Sequence, residues 1–156
     1  MITLEKLSFL CNTLNKEGVK YILIGGCAVI LHGLERPTYD IDIVIEDSNE
    51  NITNLKKAFA KFIKEDEIKE LTSRMVKKYQ VIRVGFDDFY IDIIGKIGDI
   101  DYKKAKDDIL IERIENIEIP FAGLSTMIEL KKGLREIDLK DRLFLEGKRR
   151  FLEEKI

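Results

Sequence analysis

Asp40 and Asp42 stand one residue apart in Asp-Ile-Asp-Ile-Val-Ile, residues 40–45. The alternation predicts a strand, and residues two apart on a strand project from the same face. Carboxylates ~5 Å apart repel by about 3 kcal/mol at an effective dielectric of ~20, so the pair needs a cation or a shared proton. Asp92 sits in Phe-Tyr-Ile-Asp-Ile-Ile, where every neighbour is apolar and an unneutralised charge would be costly. Three carboxylates on two neighbouring strands form a hard, all-oxygen donor set. That set suits Mg2+, with Mn2+ as a substitute, and lacks the His and Cys ligands that zinc favours. Taken singly, each aspartate reads more blandly as a solvated strand start, a lysine partner or an edge residue.

Gly25 and Gly26 separate an apolar run, Val-Lys-Tyr-Ile-Leu-Ile, from a short helical stretch, Cys-Ala-Val-Ile-Leu-His-Gly. Bare N–H groups at such a strand-to-helix junction attract phosphate. The segment lacks the Lys-Ser/Thr of a Walker loop and the glycine spacing of a dinucleotide fold, and no EF-hand spacing supports a structural Ca2+ site. Arg36 and Thr38, in the loop feeding Asp40, either reach a phosphate or shape the turn. Lys131 and Lys140, on helices near the C-terminus, either balance a triphosphate or belong to a solvated face. His32, the sole histidine, reads as a capping or packing residue, and Lys148, Arg149 and Arg150 read as a solvated helix face.

The elements that must position these residues can be read from periodicity. Leu4, Leu7, Leu10, Cys11 and Leu14 predict an amphipathic first helix closed by Gly18. After the Asp-x-Asp strand, Asn49 or Asn51 is expected to start a helix carrying Ile52, Leu55, Phe59, Phe62 and Ile63. Residues 80–95 predict a hairpin turning at Asp87 and Asp88, and residues 109–123 one or two further strands. Thr126 and Glu129 have capping-box spacing for a helix running through residues 127–136, and Asp138 is expected to cap a last one. The fold expected is α+β, a mixed sheet flanked by helices: one domain over 1–156, with a core of about 1–120 and C-terminal helices over about 124–154.

The composition fits a soluble domain: 156 residues, 45% apolar and 36% charged, with a net charge of -2. That charge excludes coating nucleic acid by bulk electrostatics. Cys11 and Cys27 cannot build a disulfide framework and read as buried small hydrophobes. With no charged leader and no run of ~18 apolar residues, a cytoplasmic protein without membrane association is expected.

Strand, Gly-Gly, short helix, then Asp-x-Asp and a later third acid resemble the nucleotidyltransferase superfamily. The stretch Gly25 to Ile43 is similar to the minimal bacterial nucleotidyltransferases related to abortive-infection and toxin–antitoxin toxins. Residues 125–143 resemble that group's C-terminal helices, with Lys131, Lys140 and Asp141 at matching positions. The resemblance implies a Mg2+-dependent transfer of a nucleoside monophosphate from a nucleoside triphosphate to an acceptor hydroxyl on RNA, protein or a small molecule. Asp40, Asp42 and Asp92 would then be catalytic and hold metal, while Gly25, Gly26, Arg36, Thr38, Lys131 and Lys140 would bind nucleotide. An antitoxin or helical partner protein is implied as well. The competing expectation is a non-catalytic nucleotide-binding or interaction module of the same fold.

Overall fold

The structure, a computed structural model, describes residues 1–86, 88–133 and 135–155. Helix α1 (Leu4–Lys16) is capped by Thr3, whose hydroxyl accepts from the Lys6 N–H, and Gly18 follows it with φ +68°. Leu7, Leu10, Cys11 and Leu14 are buried, whereas Leu4, expected on the same face, is 56% exposed. Strand β1 (Tyr21–Ile24) is buried at every position, as a central strand covered on both faces must be. It runs into α2 (Gly25–Leu31), which ends before Gly33, at φ +117°.

Strand β2 (Asp40–Ile45) leads to α3 (Asn49–Phe59). The helix starts at Asn49, as expected, and Ser48 before it is the cap, accepting from the Asn51 N–H at 3.2 Å. Asn51 is freed to clamp two chain segments, donating to the Lys20 and Glu46 carbonyls at 2.9 and 2.7 Å. Phe62 and Ile63 lie beyond the end of α3; Phe62 still packs on Phe59 and Phe86, with ring centroids 5.6 and 4.3 Å apart. Two short helices that the sequence did not announce follow, α4 (Glu65–Ile68) and α5 (Ser73–Lys78).

Strands β3 (Ile82–Phe86) and β4 (Phe89–Ile94) form the expected hairpin; Asp87, placed with Asp88 at its turn, lies outside the described residues. A small ribbon of β5 (Lys96–Ile97) and β6 (Ile100–Asp101) precedes α6 (Tyr102–Ala105) and a 3-10 turn, Lys106–Asp108. Residues 109–123 supply two strands, β7 (Leu110–Ile114) and β8 (Ile117–Phe121), joined through Glu115 and Asn116 at φ 49° and 71°. Two consecutive left-handed residues suit a tight hairpin turn. The main sheet is six-stranded and mixed, in the order β3-β4-β2-β1-β8-β7, with β2 parallel to β4 and β1 parallel to β8.

The C-terminal helices are α7 (Leu124–Leu130) and α8 (Glu136–Glu154), so the first ends at Leu130, where a helix through 136 was expected. Thr126 is inside α7 rather than its cap. Asp108, eighteen positions earlier, accepts from the Thr126 N–H at 3.1 Å and its hydroxyl at 2.6 Å, a non-local cap that no local spacing could reveal. Asp138 lies in the first turn of α8 and takes the Arg135 guanidinium instead of capping. Lys148 departs from the solvated face expected of it, donating to the His32 carbonyl at 2.9 Å and closing the end of α2. Among the described residues no helix is long and apolar enough to cross a membrane.

The Asp108 cap gives a direct test. Asp108→Ala should destabilise the protein by about 1–2 kcal/mol, read as a lower urea midpoint with an unchanged slope, because the α7 terminus and the Thr126 hydroxyl both lose their acceptor.

Candidate active site

The parallel ladder between β2 and β4 sets Asp42 beside Asp92 and Asp40 beside Tyr90. Register neighbours share a face, so all three carboxylates emerge on one side of the sheet, as the strand spacing anticipates. Asp92 is buried and Asp42 half-buried, while Asp40 is the most open of the three. Burial first, then the Asp92 and Asp40 charges, push the Asp42 carboxyl up to about 7. These causes favour the protonated form of Asp42, which relieves part of the repulsion within the pair.

Gly25 closes over this pair. Its φ of +65° suits glycine, and a Cβ there would collide with the Asp42 carboxylate. A Cβ on Gly26 would stand 2.5 Å from the Thr38 hydroxyl and 3.1 Å from an Arg36 nitrogen. Both glycines thus hold backbone against the side chains around Asp42, and the first turn of α2 has no side-chain cap.

The cation that the sequence reading did not supply is Arg83, on edge strand β3. Its Nε donates to Asp92 Oδ1 at 2.8 Å, and one terminal nitrogen donates to Asp92 Oδ2 at 3.0 Å and Asp40 Oδ2 at 3.1 Å. The guanidinium stacks on Tyr90, 4.7 Å from the ring centroid. A signal existed: counting outward from a turn at 87 and 88 pairs Phe86 with Phe89, and hence Arg83 with Asp92. Among the described residues, no three acidic, histidine or cysteine side chains already converge as ligands of one ion.

A second group of charges lies on the C-terminal side. Asp141, fully buried, accepts from Arg36 at 2.9 and 2.8 Å and forms an ion pair with Lys131 at 2.9 Å. Lys131 also lies 3.7 Å from Asp138, which Arg135 grips with two hydrogen bonds at 2.8 and 2.9 Å and holds below the usual carboxylate range. Lys131 and Arg135 are near enough for Asp42 to feel their charge. Lys131 thus reaches the neighbourhood of Asp42 through a buried ion pair, and Arg36, paired with the same Asp141, lies beside Gly26. Thr38 is buried against Gly26. Lys140 is not brought to this cluster: it is exposed and pairs with Glu136, one helical turn away, at 3.5 Å.

His32 packs edge-on against Phe121, with its Nε2 2.8 Å from the Ala122 carbonyl and its Nδ1 3.2 Å from the Lys148 ammonium. A carbonyl can only accept, so Nε2 carries the proton and Nδ1 accepts from Lys148. Burial holds the ring below its ordinary pKa and so neutral, a packing residue as its position near a helix end suggests.

A strand, a Gly-Gly opening, a short helix and carboxylates on two adjacent parallel strands define a protein of the nucleotidyltransferase fold. Two solved structures share it. A candidate nucleotidyltransferase of Thermotoga maritima is 17% identical, with 97% of this chain and 92% of that one covered at a TM-score of 0.58. A nucleotidyltransferase-like antigenic protein of Paracoccidioides brasiliensis is 15% identical, with 89% and 72% covered at 0.55. Likeness at such identity speaks to the fold. The family is given by residues 8–126, which match the nucleotidyl transferase AbiEii toxin of type IV toxin–antitoxin systems; the chain belongs to that family. No curated protein matches it.

Two outcomes follow from the packing around Asp42. Gly25→Ala should cost at least about 2 kcal/mol, since backbone strain and the collision with Asp42 add, whereas Gly18→Ala, with equal φ strain but open space, should cost about 1 kcal/mol. Thermal melts of the two variants separate the terms. The raised Asp42 pKa also fixes a sign: the folded carboxyl binds its proton more tightly than the unfolded one, so this stability is complete below about pH 4 and is lost as pH rises through about 7. In chelator, unfolding free energy should fall by up to a few kcal/mol between roughly pH 4 and pH 7, and Asp42→Asn should flatten that decline.

Proposed function

We propose that the chain transfers a nucleoside monophosphate from a nucleoside triphosphate to an acceptor hydroxyl with the help of a divalent metal, Mg2+ or Mn2+. The observation that carries this reading is the parallel register that sets Asp92 beside Asp42 and on one face with Asp40, beneath the Gly25–Gly26 backbone. The donor set fits the ion: three carboxylates, no soft ligand, and a proton on Asp42 that a cation would displace. Asp40 and Asp42 would hold the metal, with Asp92 as its third ligand. Bound there, the ion would offset charge at the α-phosphorus and on the departing oxygens.

The chain's own residues do the rest. Asp92 accepts the proton of the acceptor hydroxyl as its oxygen bonds to the α-phosphorus, the bond from that phosphorus to the pyrophosphate oxygen breaks, and pyrophosphate departs. Gly25 and Gly26 let the phosphates approach the backbone, as no side chain stands between. The buried Lys131, the partly buried Arg36 and the exposed Arg135 carry more positive charge than Asp138 and Asp141 cancel, a surplus that would favour a triphosphate. Membership in a toxin–antitoxin family makes an antitoxin the proposed partner, and the acceptor is to be found among RNA, protein and small molecules. One observation favours the alternative of a non-catalytic module: Arg83 already engages both oxygens of Asp92.

Asp92→Asn decides between them. Transfer of label from each α-labelled triphosphate, in Mg2+ with cell extract, should fall on the order of 100-fold or more, while triphosphate binding through Asp40 and Asp42 persists. Melting temperature should change little, because the partner lost, Arg83, is half-exposed and the Asp42 repulsion is relieved. A variant that labels acceptor as fast as wild type would sink the catalytic assignment.

A further inference from the structure

The carboxylate trio is not open to an ion as it stands, because Arg83 spans it. The guanidinium gives three hydrogen bonds to Asp92 and Asp40, and its geometry is the planar fork that carboxylates accept best. Two features keep this contact from being a permanent structural pair. The Arg83 side chain is 50% exposed, so solvent is ready to receive it. It also sits on an edge strand with one face against Tyr90, itself 49% exposed, so the guanidinium can turn about that ring while remaining at the mouth of the site. The Arg36 and Lys131 pairs differ, since these side chains are only 18% and 7% exposed and both engage the fully buried Asp141.

We propose that Arg83 is an exchangeable counter-cation: it holds Asp92 and Asp40 in the free protein, and it passes from them to the triphosphate when nucleotide and metal arrive together. The inference rests on the metal-dependent reading above. A metal–nucleotide complex brings a cation for the carboxylates and an anion for the guanidinium, so each charge separated by the opening finds a new partner. A free divalent ion brings only the first and must expel Arg83 into water. Arg83 thus favours loading of the complex over loading of the bare metal, and it acts as a substrate-binding residue once displaced.

The test is Mn2+ binding to the full chain, followed by electron paramagnetic resonance, with and without a triphosphate analogue whose α,β-bridge is methylene. Without analogue, Arg83→Met should bind Mn2+ about tenfold more tightly than wild type, the size of one charge-assisted hydrogen bond. The Mn2+–analogue complex should bind Arg83→Met about tenfold more weakly, and this opposition of sign is the signature. Arg83→Lys keeps the charge, loses the fork and is the fallback if the Met variant folds poorly; it too should tighten bare Mn2+. Equal Mn2+ affinity in wild type and both variants overturns the inference and leaves the metal reading intact, and a Lys variant identical to wild type reduces the effect to long-range charge and overturns it as well. Tighter Mn2+ without weaker complex binding overturns the transfer to phosphate. Absence of Mn2+ binding in every protein, with or without analogue, overturns the metal reading and the inference with it.

Discussion

The pairing of β2 with β4 puts two carboxylates side by side in a sheet, and the structure around them is arranged to make that tolerable. Asp42 and Asp92 are register neighbours, and both are drawn out of bulk water. At an effective dielectric of ~20, charges this close repel by several kcal/mol, a large share of the total stability of a domain this size. Three devices meet the cost: a proton on Asp42, the Arg83 fork on Asp92, and the cations of the C-terminal side. Gly25 belongs to the same solution, because only a residue without a side chain lets the α2 backbone close over the Asp42 carboxylate.

The C-terminal helices are part of the site through ions rather than through apolar packing alone. Asp141, on α8, joins Arg36 of the loop before β2 to Lys131 beyond α7, and all three contacts are 2.9 Å or shorter. A buried pair of this kind adds little net stability over apolar residues of equal volume, yet removing one partner costs about 3–5 kcal/mol. Its value here is positional. It fixes the loop carrying Thr38 against Gly26 and keeps positive charge within reach of Asp42, at a place where water cannot screen it.

What could be read from the sequence was whatever local spacing encodes. Alternation placed Asp40 and Asp42 on one face, and the glycines marked the strand-to-helix junction, because both are properties of a few consecutive residues. The hairpin of β3 and β4 was legible for the same reason, whereas the mixed sheet was expected through the family resemblance, since its parallel pairings join distant residues. Contacts closed by the tertiary fold were not legible: Asp108 capping α7, Asn51 clamping the Lys20 and Glu46 carbonyls, Lys148 closing α2, and the break between α7 and α8 each depend on residues that local spacing leaves apart or underdetermined. Lys131 could be singled out only by resemblance. A lysine on a helix is ordinarily solvated, and nothing nearby in the chain foretells its burial between Asp138 and Asp141. Arg83 lay within reach of hairpin register, but a charged residue on an edge strand usually serves only to discourage aggregation.

These two sets of cations give the site an asymmetry. On the α7–α8 side, Lys131 and Asp141 are almost wholly withdrawn from solvent, so separating them leaves an uncompensated buried charge. On the β3 side, Arg83 and Asp40 are both substantially exposed, and a pair so placed is screened by water and contributes little. Asp92 is the joint between the two regimes: it is buried, and its recorded hydrogen-bonding cation is the exposed one. A new charge entering the cleft is therefore answered first on the β3 side, where the bonds are cheapest to exchange and the strand is an edge with one neighbour to hold it. The α8 side stays as a fixed field against which that exchange takes place.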